Sequence, residues 1–429
     1  MEQIKLIETN NDINQKYTLI EWTTIFLMIA NTTNPFFYQS VEMLILSFVF
    51  VGILSLFIKS AFNVINKPFL VFISVYIGLQ IIQSYSYEII PIKTFLGEYL
   101  RISFAILCLY ILGDKFVGLF IKFVIIFAAI SFVFYIPSVL LPGFADFIVT
   151  HFAKYTLAPF VNNYDGIYDI RNNLIIFNFN QIELFRNSGF YWEPGVHGGF
   201  ILLALFFNCF YRKIPILKNE NLILIAALIT TFSTTSYIGL LFILLIYNID
   251  FLFKKPILSV FLIMSLAFAS YSIYNKFDFI GQKIQKQISY ADKGVPGESR
   301  FRSFLIDIKS VSEHPLIGTG RNIQMRFGNQ YYNINSQLTH RNNGIGVLLS
   351  TYGIPFFIFY ISFVYLSFKK IFNSASKALY GVCLILIIGF SEDYFFKVFF
   401  IFLTIYCTYS VAKYRVKRSY KKMQTGIQA

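Results

Sequence analysis

Two stretches of this chain carry the residue types needed to handle an anionic, hydroxyl-bearing substrate. The first, Arg186-Asn187-Ser188-Gly189-Phe190-Tyr191-Trp192-Glu193-Pro194-Gly195-Val196-His197, places a cation, an acid and an imidazole within twelve positions. A guanidinium gives paired hydrogen bonds to an oxyanion, and a carboxylate or imidazole can move a proton. A structural reading is equally open. Pro194 can open a helix with Glu193 at its positive end, while Tyr191 and Trp192 belong to an interfacial aromatic belt.

The second stretch begins Glu298-Ser299-Arg300-Phe301-Arg302 and continues through Glu313-His314-Pro315-Leu316-Ile317-Gly318-Thr319-Gly320-Arg321. It closes with Thr339-His340-Arg341-Asn342-Asn343-Gly344. Planar guanidinium groups suit the pyrophosphate of a lipid carrier, whose tail would stay in the bilayer. Alternatively, these arginines touch lipid headgroups or balance nearby acids. Apolar residues at Phe301, Leu305, Ile308 and Val311 predict a helix, with Arg300 and Arg302 near its start and Gly318-Thr319-Gly320 in a tight turn after it. Gly-Thr-Gly on its own says little about phosphate. His314 precedes a proline and reads as structural. His340 lies where a loop meets a helix, among polar neighbours, and is the candidate base.

The elements that must position these residues are membrane helices. Of 429 residues, 56% are hydrophobic and 14% charged, against about a quarter charged in soluble domains. This excludes a water-soluble globule. The net charge of +14 fits Lys and Arg in cytoplasmic loops beside anionic lipid rather than a nucleic-acid partner. Cys108, Cys209, Cys383 and Cys407 fall in apolar runs without metal-ligand spacing and read as buried side chains. The first seventeen residues are polar and show no cleavable signal, so the first span serves as insertion signal.

Apolar runs predict about twelve spans, near 18–32, 42–58, 68–87, 95–113, 116–137, 196–211, 220–233, 236–253, 256–275, 343–367, 376–391 and 395–412. With alternating crossings, Lys59, Lys67, Lys115, Arg212, Lys213, Lys218, Lys254, Lys255, Lys369, Lys370 and Lys377 share one side with the basic tail 413–429. That side is the cytoplasm by charge bias. The expected fold is one all-α integral membrane domain over 1–429, with two long external loops at about 138–194 and 277–342.

Glu98 and Arg101, three apart within a span, share a helix face where burial demands pairing. They read as a helix lock, a wall of a carrier groove, or a transporter's substrate site. No Asp-x-Asp or His-x-x-x-His cluster suggests a divalent ion, leaving Asp165 with Asp169, or Glu392 with Asp393, as a weak alternative. No metal and no cofactor are expected.

The order of pieces resembles the O-antigen polymerase and O-antigen ligase superfamily over roughly residues 180–360. The pieces are Arg-x-x-Gly-Phe-x-x-Glu-Pro from Arg186 to Pro194, then an arginine-bearing loop with His-Pro-Leu-x-Gly-x-Gly from His314 to Gly320. His340 with Asn342 follows, before a helix containing Tyr352-Gly353-Ile354. The resemblance implies a metal-independent glycosyltransferase of GT-C type, in the bacterial inner membrane with its site facing the periplasm. Its substrate would be an undecaprenyl-diphosphate-linked oligosaccharide. Arg186 and Arg300 would bind the diphosphate, with Arg302, Arg321, Arg341 and Asn342 as further diphosphate or glycan contacts. His340 would orient or deprotonate the acceptor hydroxyl, and Glu193 would be a second acid/base or a clamp on an arginine. Arg341 intervenes where the family often has Asn or Ser directly after the His.

The expected activity is polymerisation of repeat units in surface polysaccharide and lipopolysaccharide biosynthesis, in contact with membrane lipid and beside a chain-length regulator and a flippase. The alternatives are a ligase delivering the glycan to lipid A-core, and a flippase for the lipid-linked sugar. Loops rich in Tyr and Asn favour the polymerase. Polar residues gathered at the outer face disfavour the flippase.

Overall fold

The computed structural model describes residues 16–38, 40–58, 62–152, 163–164, 167–168, 174–179, 185–255, 300–322, 325 and 343–411. Its first half comprises helices α1 (Leu19–Thr33), α2 (Pro35–Tyr38), α3 (Val41–Ser55), α4 (Lys67–Tyr87), α5 (Ile92–Leu112), α6 (Phe116–Leu140) and α7 (Phe144–His151). The second half comprises α8 (Pro194–Phe210), α9 (Asn219–Thr230), α10 (Thr234–Tyr247), α11 (Ile249–Lys254), α12 (Arg300–Glu313), α13 (Gly344–Phe372), α14 (Ala375–Ser391) and α15 (Val398–Ile405). Extended structure among the described residues is limited to two antiparallel pairs, β1 (Phe62–Asn63) with β4 (Ser410–Val411) and β2 (Asn163–Tyr164) with β3 (Ile167–Tyr168).

Helices stand at eleven of the twelve places the apolar runs predict, and the remaining place, 256–275, lies outside the described residues. Three helical stretches are long and apolar enough to cross a membrane: Lys67–Tyr87, Ile92–Leu140 and Gly344–Phe372. The 49-residue stretch would measure about 74 Å if straight, more than twice a bilayer's ~30 Å core. Gly113, at φ 45° and ψ −125°, ends α5, and one 3₁₀ turn separates it from α6. The other apolar helices, such as α8, α9 and α10, are shorter.

Polar residues at the predicted breaks start these helices. Thr18 and Glu21 form a reciprocal capping box on α1. Ser40, Ser233, Asn343 and Ser374 each accept a backbone N–H at the starts of α3, α10, α13 and α14. Pro194 occupies the first turn of α8, where its missing N–H leaves no bond unmade.

Helix α8 is the axis of the bundle. Every residue from Pro194 to Cys209 is buried, as expected of a helix apolar on all sides. It packs against α6, α9, α10 and α14. Phe200 meets Phe399 of α15 at 4.9 Å between centroids, and Phe120 of α6 meets the same ring at 5.1 Å. Helix α4 lies outside, touching α13 through Tyr76 and Phe72 and exposing Leu70, Val71, Ile81 and Ile82.

The two ends of the bundle differ in character. At one end, Lys115 pairs with Glu21 at 2.6 Å, Arg212 with Glu220 at 2.7 Å, and Lys377 donates to the Phe210 carbonyl at 3.3 Å. Lys370 donates there to the Cys407 carbonyl at 3.3 Å and to that of Tyr409. These cations come from the set the sequence assigned to a single side. The opposite end gathers the starts of α8, α12 and α13, the end of α14 and the junction of α9 with α10.

Candidate functional site

Arg300 opens α12 and reaches back to the bundle. One of its terminal nitrogens lies 3.0 Å from Glu193 Oε1 and 2.6 Å from Glu392 Oε1, and its Nε donates to the Ser391 carbonyl at 2.5 Å. Three elements supply this cluster: Glu193 directly precedes α8, while Ser391 and Glu392 end α14. The Glu193 backbone is extended and its carboxylate makes no capping bond, because it turns to Arg300 instead. Burial works against the Arg300 charge, but Glu392 and Glu193 outweigh it and raise the guanidinium above its ordinary range. Burial, then the neighbouring Glu193 charge, push the Glu392 carboxyl well above its ordinary 4.5, against the pull of Arg300. Two carboxyls sharing one guanidinium, one of them with its pKa raised, form a group that can hold and pass a proton.

Close approach explains the glycines around this cluster. A Cβ on Gly195 would lie 2.9 Å from Glu193 Oε1, and one on Gly346 would lie 2.7 Å from Asp307 Oδ2. The second of these glycines lets α12 settle onto α13. Helix α12 forms where predicted, and the structure adds which face it buries. Its buried stripe is Ser303, Asp307, Ser310 and Val311, while Phe301, Leu305 and Ile308 face outward. An apolar stripe turned away from the protein is the pattern of a helix lying at a membrane interface.

Arg186 sits at the junction of α9 and α10, its Nε donating to the Thr231 carbonyl at 3.1 Å. Ser233, two residues on, lies 3.8 Å from where a Gly195 Cβ would be, and Arg300 lies 4.0 Å from the same point, so this junction adjoins the Arg300 cluster. The stretch between Arg186 and Glu193 is fixed by buried contacts. Asn187 donates from its backbone to the Thr230 carbonyl at 2.9 Å and from its side chain to Ser131 at 2.9 Å. Tyr191 and Trp192 belong to the core rather than to an interfacial belt. Tyr191 stacks on His197 at 5.2 Å, and Trp192 on Tyr38 at 4.8 Å. His197 is fully buried, its Nδ1 3.3 Å from the Asn187 carbonyl.

A second cluster surrounds Arg321. Glu98 pairs with Arg321 rather than with Arg101, its neighbour on α5. Tyr76 donates to Glu98 Oε2, Gln80 donates to the same oxygen at 2.8 Å, and Tyr352 donates to Oε1 at 3.3 Å. Arg321 also donates to the Tyr352 hydroxyl at 2.7 Å. Four helices or turns are thus joined around one buried carboxylate.

The Gly318-Thr319-Gly320 turn is a structural plug. Helix α13 is broken at Gly353, at φ 80° and ψ 170° ahead of Pro355, which exposes carbonyls of the preceding turn. Thr319 N–H donates to the Ser350 carbonyl at 2.7 Å and Gly320 N–H to that of Thr351 at 3.0 Å. Ile354 N–H donates back to the Pro315 carbonyl at 2.8 Å. Gly318 and Gly320 both have positive φ, which explains the residue type without any phosphate. His314 accepts Gly318 N–H through its backbone carbonyl and sets its ring edge-on to Tyr87.

Of the other residues singled out in the sequence, Arg302 lies in α12 by its backbone. His340, Arg341 and Asn342 lie outside the described residues, as do Asp165 and Asp169. Glu392 is the participant that the sequence reading missed, having paired it only with Asp393. The available signal was a carboxylate in the brief Ser-Glu-Asp-Tyr interruption between two apolar runs. Such an acid beside lipid needs a cation, and Arg300 supplies it.

The region spanning α9 to the middle of α13 has a counterpart among known families. Residues 221–361 match the O-antigen ligase family. This match covers about a third of the chain and contains Arg300, Arg302, Arg321, His340, Arg341 and Asn342. Arg186, Glu193 and Glu392 lie beyond it. The O-antigen ligase match supports a likeness to the O-antigen polymerase and ligase superfamily over this region. No curated protein matches the chain.

Proposed function

We propose that this protein polymerises undecaprenyl-diphosphate-linked oligosaccharide repeat units on the periplasmic face of the bacterial inner membrane. In this reading the chain is one integral domain of about twelve spans, with both termini in the cytoplasm and the two long loops outside. The observation that supports it best is the Arg300 cluster, a guanidinium held by Glu193 and Glu392 at one end of an apolar bundle.

Displacing a diphosphate from an anomeric carbon leaves a strongly anionic group, so cations placed in advance act where charge develops. Arg300 can become such a cation. The Glu193 side chain is 27% exposed against 10% for Glu392, so in this reading Glu193 is the carboxylate that yields Arg300 to the arriving diphosphate. Arg186 is the second diphosphate contact, with Arg302 and Arg341 beside them and Asn342 on the glycan. His340 takes the acceptor proton, and Glu193 shuttles protons or releases the arginine. No metal or cofactor has a part in this scheme. A flippase and a chain-length regulator are the expected partners.

The ligase reading uses the same donor and residues and delivers the glycan to lipid A-core, and the family match is equally compatible with it. Incubating the full-length protein in detergent with a synthetic polyprenyl-diphosphate repeat unit and lipid A-core tests both. A ladder of products supports the polymerase. A single addition to lipid A-core without a ladder supports the ligase, and unchanged donor with folded protein overturns both.

A further inference from the structure

Tyr394 follows Glu392 by two positions, between α14 and α15. Its ring stacks on Phe400 of α15 at 4.8 Å and leans on Trp192 at 6.3 Å, and its backbone carbonyl accepts the Lys397 N–H at 2.8 Å. The side chain is fully buried, yet its hydroxyl has no hydrogen-bond partner among the described residues. Nearly all buried polar groups are paired in folded proteins, so an exception calls for a partner that the resting state withholds.

Two glycines on α8 locate that partner. Gly195 and Gly199 are four residues apart, hence on one face and about one turn of ~5.4 Å from each other. A Cβ on Gly195 would lie 2.9 Å from Glu193 Oε1, and one on Gly199 would lie 3.5 Å from the Tyr394 hydroxyl. The carboxylate and the phenol therefore share a flank of α8, one turn apart. Burial, then Glu392 and Glu193, push the Tyr394 hydroxyl up and keep it a donor. Tyr191 is also fully buried with an unpartnered hydroxyl. Burial alone raises it, so the carboxylates act on Tyr394 and not on Tyr191.

In the reaction proposed above, Arg300 turns to the diphosphate, and Glu193 loses its cation while facing an arriving anion. A half-buried carboxylate in that position is costly, and an O–H offered to it makes a charge-assisted hydrogen bond. We propose that Tyr394 is a positioning residue that takes over Glu193 when Arg300 leaves, its hydroxyl donating to the carboxylate and drawing it along α8, away from the diphosphate. This exchange rests on the diphosphate reading of Arg300 and adds to it what holds the displaced acid.

The test is calorimetric binding of inorganic pyrophosphate to the full-length protein in detergent. It compares wild type, Tyr394→Phe, Glu193→Gln, the double variant and Tyr191→Phe. Phenylalanine keeps the stack on Phe400 and removes only an unpartnered hydroxyl, so Tyr394→Phe should melt no lower than wild type without pyrophosphate. Its pyrophosphate Kd should rise about ten-fold or more, the worth of a hydrogen bond to a charged group. In the Glu193→Gln background the same change should shift Kd by no more than about three-fold, and Tyr191→Phe should stay within about three-fold of wild type. With the synthetic donor, Tyr394→Phe should raise KM more than it lowers kcat.

A Kd unmoved by Tyr394→Phe, an equal loss in the Glu193→Gln background or in Tyr191→Phe, or no pyrophosphate binding by wild type overturns the exchange. So does a Tyr394→Phe protein that melts well below wild type without ligand, because its hydroxyl would then be paired at rest. Wild type that binds pyrophosphate with the expected dependence on Tyr394, yet makes neither polymer nor a lipid A-core product, overturns the proposed reaction and leaves the exchange standing. Product formed with unchanged donor KM in Tyr394→Phe overturns the exchange alone.

Discussion

The backbone of Gly353 rests directly on that of Leu316, so that a Cβ on Gly353 would lie 2.5 Å from the Leu316 carbonyl oxygen. With φ at 80° as well, the position excludes any side chain on two grounds. Gly353→Ala is expected to destabilise the protein by about 2 kcal/mol or more, from backbone strain and the displaced turn together. Unfolding of the purified variant in detergent measures this. A variant as stable as wild type would show that the turn does not bear on α13.

Arg300 contacts two carboxylates and a carbonyl with one planar fork. Lysine, a single point donor, cannot reproduce that geometry. Arg300→Ala and Arg300→Lys should each lower product formation by about 100-fold or more, the usual loss when a charge-stabilising donor is removed. Arg186→Ala should fall as far with expression intact. Initial rates with the synthetic donor decide this, and a lysine variant near wild-type rate would argue against a forked contact.

The raised Glu392 pKa gives stability a definite slope with pH. Folded protein holds a proton on this carboxyl at pH values where the unfolded chain, with an ordinary 4.5, has lost it. The stabilising contribution is therefore complete below about pH 4.5 and is lost as pH rises through the raised folded value. Glu392→Gln mimics the protonated form and should flatten that decline. Melting curves from pH 4 to 8 compare the two proteins. A wild type that gains stability over this window relative to Glu392→Gln would reverse the assignment.

Glu98 is coupled to Arg321 and not to Arg101. Breaking a buried pair by removing one partner typically costs about 3–5 kcal/mol, and Glu98→Gln belongs at the lower end because Arg321 is 25% exposed. In double-mutant cycles, Glu98→Gln with Arg321→Gln should deviate from additivity by about 1 kcal/mol or more, and Glu98→Gln with Arg101→Gln by no more than about 0.5 kcal/mol. The opposite ranking would mean that α5 pairs within itself.

Much of this architecture was legible in the sequence because apolar run length and polar interruptions are local properties. Residues 116–137 stand inside the observed α6, and Ser233 starts α10 at the break expected between two runs. Long-range pairing was not legible. Glu98 and Arg101 are three residues apart on one face, yet the partner that won is Arg321, 223 positions away, delivered by the turn that plugs α13. The spacing of Phe301, Leu305 and Ile308 predicted a helix but not which face it buries. A period identifies a stripe, whereas its surroundings decide whether that stripe meets protein or lipid. Arg186 and Glu193 stood out by residue type alone, and their joining element, the bend at Thr231–Ser233, could be found only in three dimensions.

The complete enclosure of α8 constrains how the protein is made. Its neighbours α9, α10, α14 and α15 all emerge from the ribosome after it, so nascent α8 must wait in the bilayer or the insertion machinery until they arrive. Chains cut short before α14 would leave the flank of α8 at Gly199, which meets Ile388, bare, a surface that cellular quality control can seize.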